Sequence, residues 1–351
     1  MANTSFTREY AEFATATIDR YGHKRFQDVI SRSSQFMAWM MDDNGVTGRG
    51  PTPGLKGGST SRYIAGTSGD RIKEPLMTEL NTTPKWYNGT ETFDVLEENV
   101  GTSAFFDVKS LGATITISGR DRRLNKGEQK QIDLLQAKTE QAMISIKNDL
   151  AGSVIGSQGS SKEMQGLGDM VPTDAGVGTA YGEIAANTAW WQTQRSRTAA
   201  GTAGDVGDYE TNFTVYATRL FHDLCEGGDS PDIHFVSQEL MENYNRSLLP
   251  YERFPSKKAR DLGFDNVLTF MNIPVLWDRK HPTARLATQQ WYTLNSNYIT
   301  LRYTPEANFT TLGFQRPSNA DYITSPVIWE GALTTNNRRM LGILTGITGL
   351  A

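Results

Sequence analysis

Between Gly127 and Gly152 the chain contains neither proline nor glycine, and the apolar residues fall at helical spacing. Ile132, Leu135, Thr139, Ala142, Ile146, Leu150 and Val154 line one apolar or small face, while Gln129, Lys130, Gln136 and Lys147 make the other polar. Asn125-Lys126-Gly127-Glu128 has the form of a capping box, with Asn125 as the capping residue. This predicts one helix of about thirty residues ending at Gly156, roughly 45 Å long at ~1.5 Å per residue. It acts as a girder that the rest of the fold must accommodate.

The segments around it are of a different kind. Phe26, Val29, Ser33, Phe36 and Met40 predict a helix before residue 43, and Ser34–Met41 is apolar on more than one side, so it wants covering. Residues 45–70 are crowded with glycine and proline and read as loop. Ile72–Leu80 reads as a strand that Pro75 confines to an edge. Leu111, Ala113, Ile115 and Ile117 alternate with polar residues, the mark of a half-buried strand, and a bend is expected near 109–112. Between these strands lies a polar, turn-rich tip with Trp86, Tyr87 and Phe93. A two-stranded hairpin is marginal alone in water, so this excursion should lean on a partner.

Beyond Gly156 a glycine-rich loop leads to Trp190-Trp191, followed by a second glycine-rich tract. Phe213, Tyr216, Leu220 and Leu224 predict an amphipathic helix stopped by Gly227-Gly228. Asp232–Val236 reads as a strand, and Ser237 can cap a helix whose inner positions are Met241, Tyr244 and Leu248. Val267–Trp277 and Trp291–Leu301 read as further strands, so residues 213–300 form an α/β lobe. The tail from Phe309 to Ile347 is strand-like, with a polar knot at 334–339.

Composition narrows the function. Hydrophobic residues make up 38% of 351, enough for a sizeable core, and the net charge of −4 lacks the basic excess of a protein that grips nucleic acid. The expected class is a soluble intracellular α+β protein, without a membrane span or secretory signal. One cysteine, Cys225, excludes an intrachain disulfide framework. Gly50–Lys56 lacks the ending and spacing of a phosphate-binding loop, and Gly176–Tyr181 has tyrosine where a dinucleotide fingerprint needs glycine. His222 and Cys225 are three apart on a predicted helix, but no further ligand accompanies them, so they read as a half-buried helix face. Trp190-Trp191 reads first as a loop anchor, with base or sugar stacking as the rival. Asp121-Arg122-Arg123 and Asn337-Arg338-Arg339 read as salt-bridged surface or subunit contacts. No catalytic, cofactor-binding or metal site emerges, and no cofactor is expected.

Four motifs in order carry a family resemblance. They are Ile115-Thr116-Ile117-Ser118-Gly119 followed by Asp133–Lys138, and Gln165-Gly166-Leu167 followed by Trp190-Trp191. Phe254, Lys257-Lys258 and Asp261–Phe264 come next, then Trp329–Thr334 with Asn337-Arg338-Arg339 and Leu344–Ile347. Over about residues 20 to 348 the chain resembles the tailed-bacteriophage major capsid proteins of the Hong Kong 97 type.

The resemblance implies an α+β fold with an N-terminal arm and helix at 1–69 and an extended β loop at 70–118. The peripheral domain would begin with the spine helix at 119–156, an axial α/β domain would follow at 157–301, and the tail at 302–351 would return to the peripheral domain. It implies a self-assembling, non-enzymatic virion protein, whose hexamers and pentamers form an icosahedral head around double-stranded DNA. Implied partners are further copies of itself, a separate scaffolding protein (the chain begins directly with the arm), a portal protein and a decoration protein. Candidate subunit contacts are Lys85, Trp86, Tyr87, Phe93, Arg122, Arg123, Arg338 and Arg339. Two rival readings stand beside it: an encapsulin-like nanocompartment shell, and a carbohydrate-active enzyme or binding module using Trp190-Trp191 with Glu183.

Overall fold

The structure is a computed structural model that describes residues 34–41, 63–66, 69–92, 98–124, 128–173, 180–185, 187–195, 206–248, 268–282 and 289–348. The chain divides into two units, each assembled from separate stretches of sequence. One comprises 1–33, 111–150 and 306–329, and the other 34–110, 151–305 and 330–351. The loop expected at 45–70, the capping box at Asn125, the motif around Phe254 to Phe264, and Phe93 lie wholly or largely outside the described residues.

The second unit is built on a seven-stranded sheet. Its strands are β5 (Gln194–Arg195), β6 (Gly207–Asp208), β7 (Ile233–Val236), β8 (Thr269–Phe270), β9 (Ile273–Trp277), β10 (Gln289–Leu294) and β14 (Gly342–Thr348). They run in the order β5-β14-β10-β7-β9-β8, with β6 also pairing β14. All four residues of β7 are buried, as in a strand covered on both faces. Helices α5 (Tyr209–Asp223) and α6 (Gln238–Leu248) cover one face around Trp291, whose ring lies 5.0 Å from Phe213 and 5.6 Å from Tyr244. On the other side of β7, Phe235 meets Phe36 of α1 (Gln35–Met41) at 4.6 Å. The apolar helix that wanted covering is therefore covered within its own chain, and the Ser34 hydroxyl both receives the Met37 N–H and donates to the Asp278 carboxylate.

The helix signals are realised closely. Ser237 accepts the Leu240 N–H at 3.3 Å at the start of α6, and Leu240 and Tyr244 are buried, with Met241 and Leu248 packed beside them. After α5 the chain reverses through Gly227-Gly228, both at positive φ, between the bridged pair Glu226 and Asp229. Two strand expectations need correction. Within Val267–Trp277, residues 269–277 form a hairpin of β8 and β9, turning at Met271-Asn272 with both residues at positive φ. Trp291–Leu301 is split by a 3-10 turn at Ser296–Tyr298 into β10 and β11 (Ile299–Tyr303), which belong to different sheets.

The first unit contains most of the long helix, α3 (Glu128–Ile155), which is unbroken as predicted. Ala142, Ile146, Leu150 and Val154 are buried along its inner face. Beside it run α2 (Gly119–Leu124), β4 (Lys109–Ser118), β12 (Thr310–Thr311) and the first part of β13 (Tyr322–Thr335). Ile115 and Ile117 of β4 are buried while Thr114 and Thr116 are exposed, so the alternation holds. Lys138 of α3 donates to the Thr116 carbonyl at 2.9 Å. The remainder of β13 lies in the second unit, where it pairs β11, and β11 pairs β1 (Tyr63–Ala65) in parallel.

Candidate functional site

The predicted β excursion is present. β2 (Arg71–Met77) and β3 (Gly101–Asp107) pair antiparallel over seven residues, from Arg71 opposite Asp107 to Met77 opposite Gly101. The bend falls at Val108, slightly before its expected place, and there the chain leaves β2 for another partner, since β4 pairs β13.

The near end of this hairpin is fastened within the second unit. Ile72, Leu76, Ala104 and Phe106 are buried on one face. The Phe105 N–H donates to the Gly182 carbonyl at 3.0 Å, and the Phe106 ring sits edge-on to Tyr181 at 5.2 Å. Gly182 has φ +65°, and a Cβ there would come within 2.9 Å of Ala104, so the approach requires glycine. Arg71 bridges Asp107 at 3.0 Å and Glu183 at 2.8 Å, and Arg302 of β11 pairs with Glu74 of β2. Burial pushes the Glu74 carboxyl up, and the Arg302 charge opposes that rise.

The far end is built differently. Met77, Leu80 and Val100 are between 72% and 80% exposed. The tip is closed by Glu98, whose carboxylate receives the Thr82 N–H at 2.9 and 3.0 Å as well as the Thr82 hydroxyl. Asn81 accepts the Thr83 N–H at 2.7 Å in an Asx turn. The loop so closed presents Lys85, Trp86 and Tyr87 outward, with Trp86 wholly exposed and Tyr87 61% exposed. Spacing could not announce the Glu98 clasp, because its partners are sixteen residues apart in a segment without periodicity.

The basic clusters part company. Arg338 is not at the surface but 2% exposed: it donates to the Met170 carbonyl at 2.8 Å and lies over the rings of Tyr181 and Trp191 at 5.3 and 5.8 Å. Burial holds its guanidinium down at about 10, which leaves it charged at neutral pH. Asp169 stands nearby; burial raises its carboxyl, against the N–H groups of Gln158 and Gly166 and the Arg338 charge. Arg339 is exposed. In the first unit Arg123 pairs with Asp321 at 2.7 Å, and Arg316 reaches the same carboxylate at 3.7 Å. Arg122 lies on α2, with its side chain outside the described residues.

The carbohydrate reading drew on Trp190, Trp191 and Glu183. Trp191 is buried and donates to the Tyr181 carbonyl at 3.0 Å, so it anchors its loop; Trp190 beside it is exposed. Glu183, the carboxylate the carbohydrate reading would use, is paired with Arg71. A cleft of about 180 Å³ opens at the hairpin base between Phe105, Met164 and Leu333, with Asp107 and Glu183 at its rim, both bound to Arg71. His222 and Cys225 are exposed, and no group of three metal-ligating side chains gathers among the described residues. No helix there is long and apolar enough to cross a membrane.

No protein-family model matches the sequence, and no curated protein matches it. Solved structures do match. The capsid asymmetric unit of cyanophage A-1(L) superposes with a TM-score of 0.61 at 12% identity, covering 94% of this chain and 98% of that one. The capsid of an empty GTA particle gives 0.56 at 13%, covering 96% and 98%. The holo-SrpI encapsulin complex from Synechococcus elongatus PCC 7942 gives 0.52 at 9%, covering 95% and 96%. At such identities the likeness is one of fold, and it runs nearly end to end in every case. The chain has the α+β fold of these shells, the Hong Kong 97-type fold its sequence resembles.

Proposed function

We propose that this chain, having that fold, is a major capsid protein. It self-assembles through hexamers and pentamers into an icosahedral bacteriophage head enclosing double-stranded DNA, and so resides in the virion. The observation that carries the reading is the end-to-end likeness to shell subunits. The hairpin supports it: its base is bound within the subunit while Trp86 at its tip has no covering. In this reading 70–118 is the extended loop that lies over a neighbour, 119–156 and 302–351 form the peripheral domain, 157–301 the axial domain and 1–69 the arm. Lys85, Trp86, Tyr87, Phe93, Arg122, Arg123 and Arg339 are the subunit-contact residues. A separate scaffolding protein, a portal and a decoration protein complete the partners.

The encapsulin likeness favours a second reading, a shell holding protein cargo. Electron microscopy of the purified chain, expressed with and without a scaffolding protein, tests both. Closed shells or ring-shaped capsomers are expected, and a sharp monomer in every condition would refute either reading. Nuclease-protected nucleic acid inside the shells supports the phage head, and a packaged enzyme supports the compartment.

A further inference from the structure

Asn88-Gly89 lies at the far end of the hairpin, directly after Trp86 and Tyr87. An Asn-Gly pair in the middle of a tight hairpin turn is locked with both residues at positive φ. Here neither is at positive φ. Asn88 opens the turn instead, its carbonyl receiving the Thr90 N–H at 2.6 Å and the Glu91 N–H at 3.0 Å. Both residues are exposed, and a Cβ added at Gly89 would meet nothing within 4 Å. Among the described residues no hydrogen bond engages the Asn88 carboxamide or the Gly89 N–H. Other turn asparagines are held: Asn81 accepts the Thr83 N–H at 2.7 Å, Asn295 the Asn297 N–H at 3.0 Å and Asn337 the Arg339 N–H at 3.1 Å.

We propose that Asn88 is a site of self-modification, its carboxamide turning spontaneously into a mixture of isoaspartate and aspartate. The Gly89 backbone nitrogen, after losing its proton to hydroxide, attacks Asn88 Cγ. A new C–N bond forms, the bond from Cγ to the side-chain nitrogen breaks, and ammonia leaves with a proton taken from water. The product is a cyclic imide. Water then opens it at either carbonyl: breaking the new bond gives aspartate, and breaking the original peptide bond leaves isoaspartate, with the chain running through Cγ. Glycine, having no Cβ, leaves its nitrogen open to this attack. Either product adds a negative charge to residues 78–100, where Glu79, Glu91, Asp94, Glu97 and Glu98 already outweigh Lys85. Isoaspartate also lengthens the backbone beside Trp86 and Tyr87. The exposed aromatic loop thus carries a chemical clock that runs on water alone.

The test incubates the full chain for several days in heavy-oxygen water at mildly alkaline pH and maps residues 86–109, the peptide that trypsin releases. Labelled isoaspartate and aspartate at position 88 are expected, with isoaspartate in excess, and the converted fraction should rise severalfold per pH unit. Gly89→Ala should slow the change about tenfold or more, because a Cβ hinders the attacking nitrogen. The open space around Gly89 lets that variant fold, with circular dichroism and melting unchanged. Should it fail to fold, Asn88→Gln serves instead and should slow the change as much, since its longer side chain must close a larger ring. Unfolding the wild-type chain in urea should speed the change by less than about tenfold, because the folded turn already leaves both groups free. No label at position 88, aspartate without isoaspartate, an equal rate in Gly89→Ala, or a larger acceleration on unfolding would each overturn the proposal. The assay reads single chains, so its failure and that of the capsid reading are told apart.

Discussion

Trp291 and Trp86 show how differently two regions of one chain are finished. Trp291 is enclosed by Phe213, Tyr244, Phe270 and His234, with no surface left to water. Its indole N–H is satisfied by His234 Nδ1 at 3.1 Å. Trp86 has the same side chain and is wholly exposed, on a loop held in shape by the Glu98 carboxylate. The α/β lobe thus completes itself inside one subunit. The hairpin is complete at its base, where Gly182 and Arg71 fasten it, and incomplete at its tip. Stability belongs to the first kind of region; in the proposed function, association belongs to the second.

The sharpest way to break that contrast is to remove the tryptophans in turn. Trp291→Ala should cost the subunit about 3–5 kcal/mol, through lost burial and a cavity that a sheet covered on both faces cannot close. Trp86→Ser with Tyr87→Ser should leave the melting midpoint of the subunit nearly unchanged. It should still prevent stable particles, since each lost anchor removes on the order of 2 kcal/mol per contact. Denaturant unfolding and particle yield, measured on the same preparations, separate the two effects; equal loss of subunit stability in both variants would erase the distinction.

Acid should act on the lobe. Burial pulls His234 and His281 down to about 3, well below the usual 6.5. The folded state therefore keeps both rings neutral while the unfolded chain takes up protons as pH falls below about 6.5. Stability is fully present above that value. It should decline toward pH 3 by up to about 1.4 kcal/mol per pH unit for each histidine. Replacing His281 with Asn should flatten the slope of unfolding free energy between pH 6.5 and 4.5 by roughly one histidine's share; an unaltered slope would assign the acid sensitivity elsewhere.

The smallest expected effect sharpens the boundary between base and tip. Gly182→Ala combines an unfavourable positive φ with a Cβ 2.9 Å from Ala104. It should cost about 1–2 kcal/mol and loosen the hairpin base, seen as faster amide exchange at Phe105 without change in α5 or α6. Unchanged exchange at Phe105 would show that the Gly182 contact does not hold the hairpin.

Much of this contrast could be read from the chain itself. α3, α5, α6 and β4 follow periodicities that their own residues enforce, and the aromatic tip stood out against a polar loop. The misreadings share a cause: they concern which partner a segment meets. Met271-Asn272 turns the chain at positive φ without the glycine that would have announced it. Ile299–Tyr303 looks like a continuation of β10, and only its pairing with β13 places it in another sheet. Arg338 resembles its neighbour Arg339 in every local respect. What buries it is the distant pair Tyr181 and Trp191, beyond the reach of spacing arguments. The sequence marked Arg123 as a salt-bridged or contact residue but not its partner, Asp321, 198 positions away.

The interleaving of the two units also sets a timetable for synthesis. The first unit needs residues 306–329 and the second needs 330–351, whose β14 lies between β5 and β10 in the seven-stranded sheet. At about 5–20 residues per second, Trp86 leaves the ribosome roughly ten to fifty seconds before the segment around Asp321 can follow. A nascent chain thus carries its hairpin loop long before either unit can be completed. Ribosome-bound chains stalled before residue 306 lack both 306–329 and β14, and are therefore expected to stay protease-sensitive until synthesis is complete.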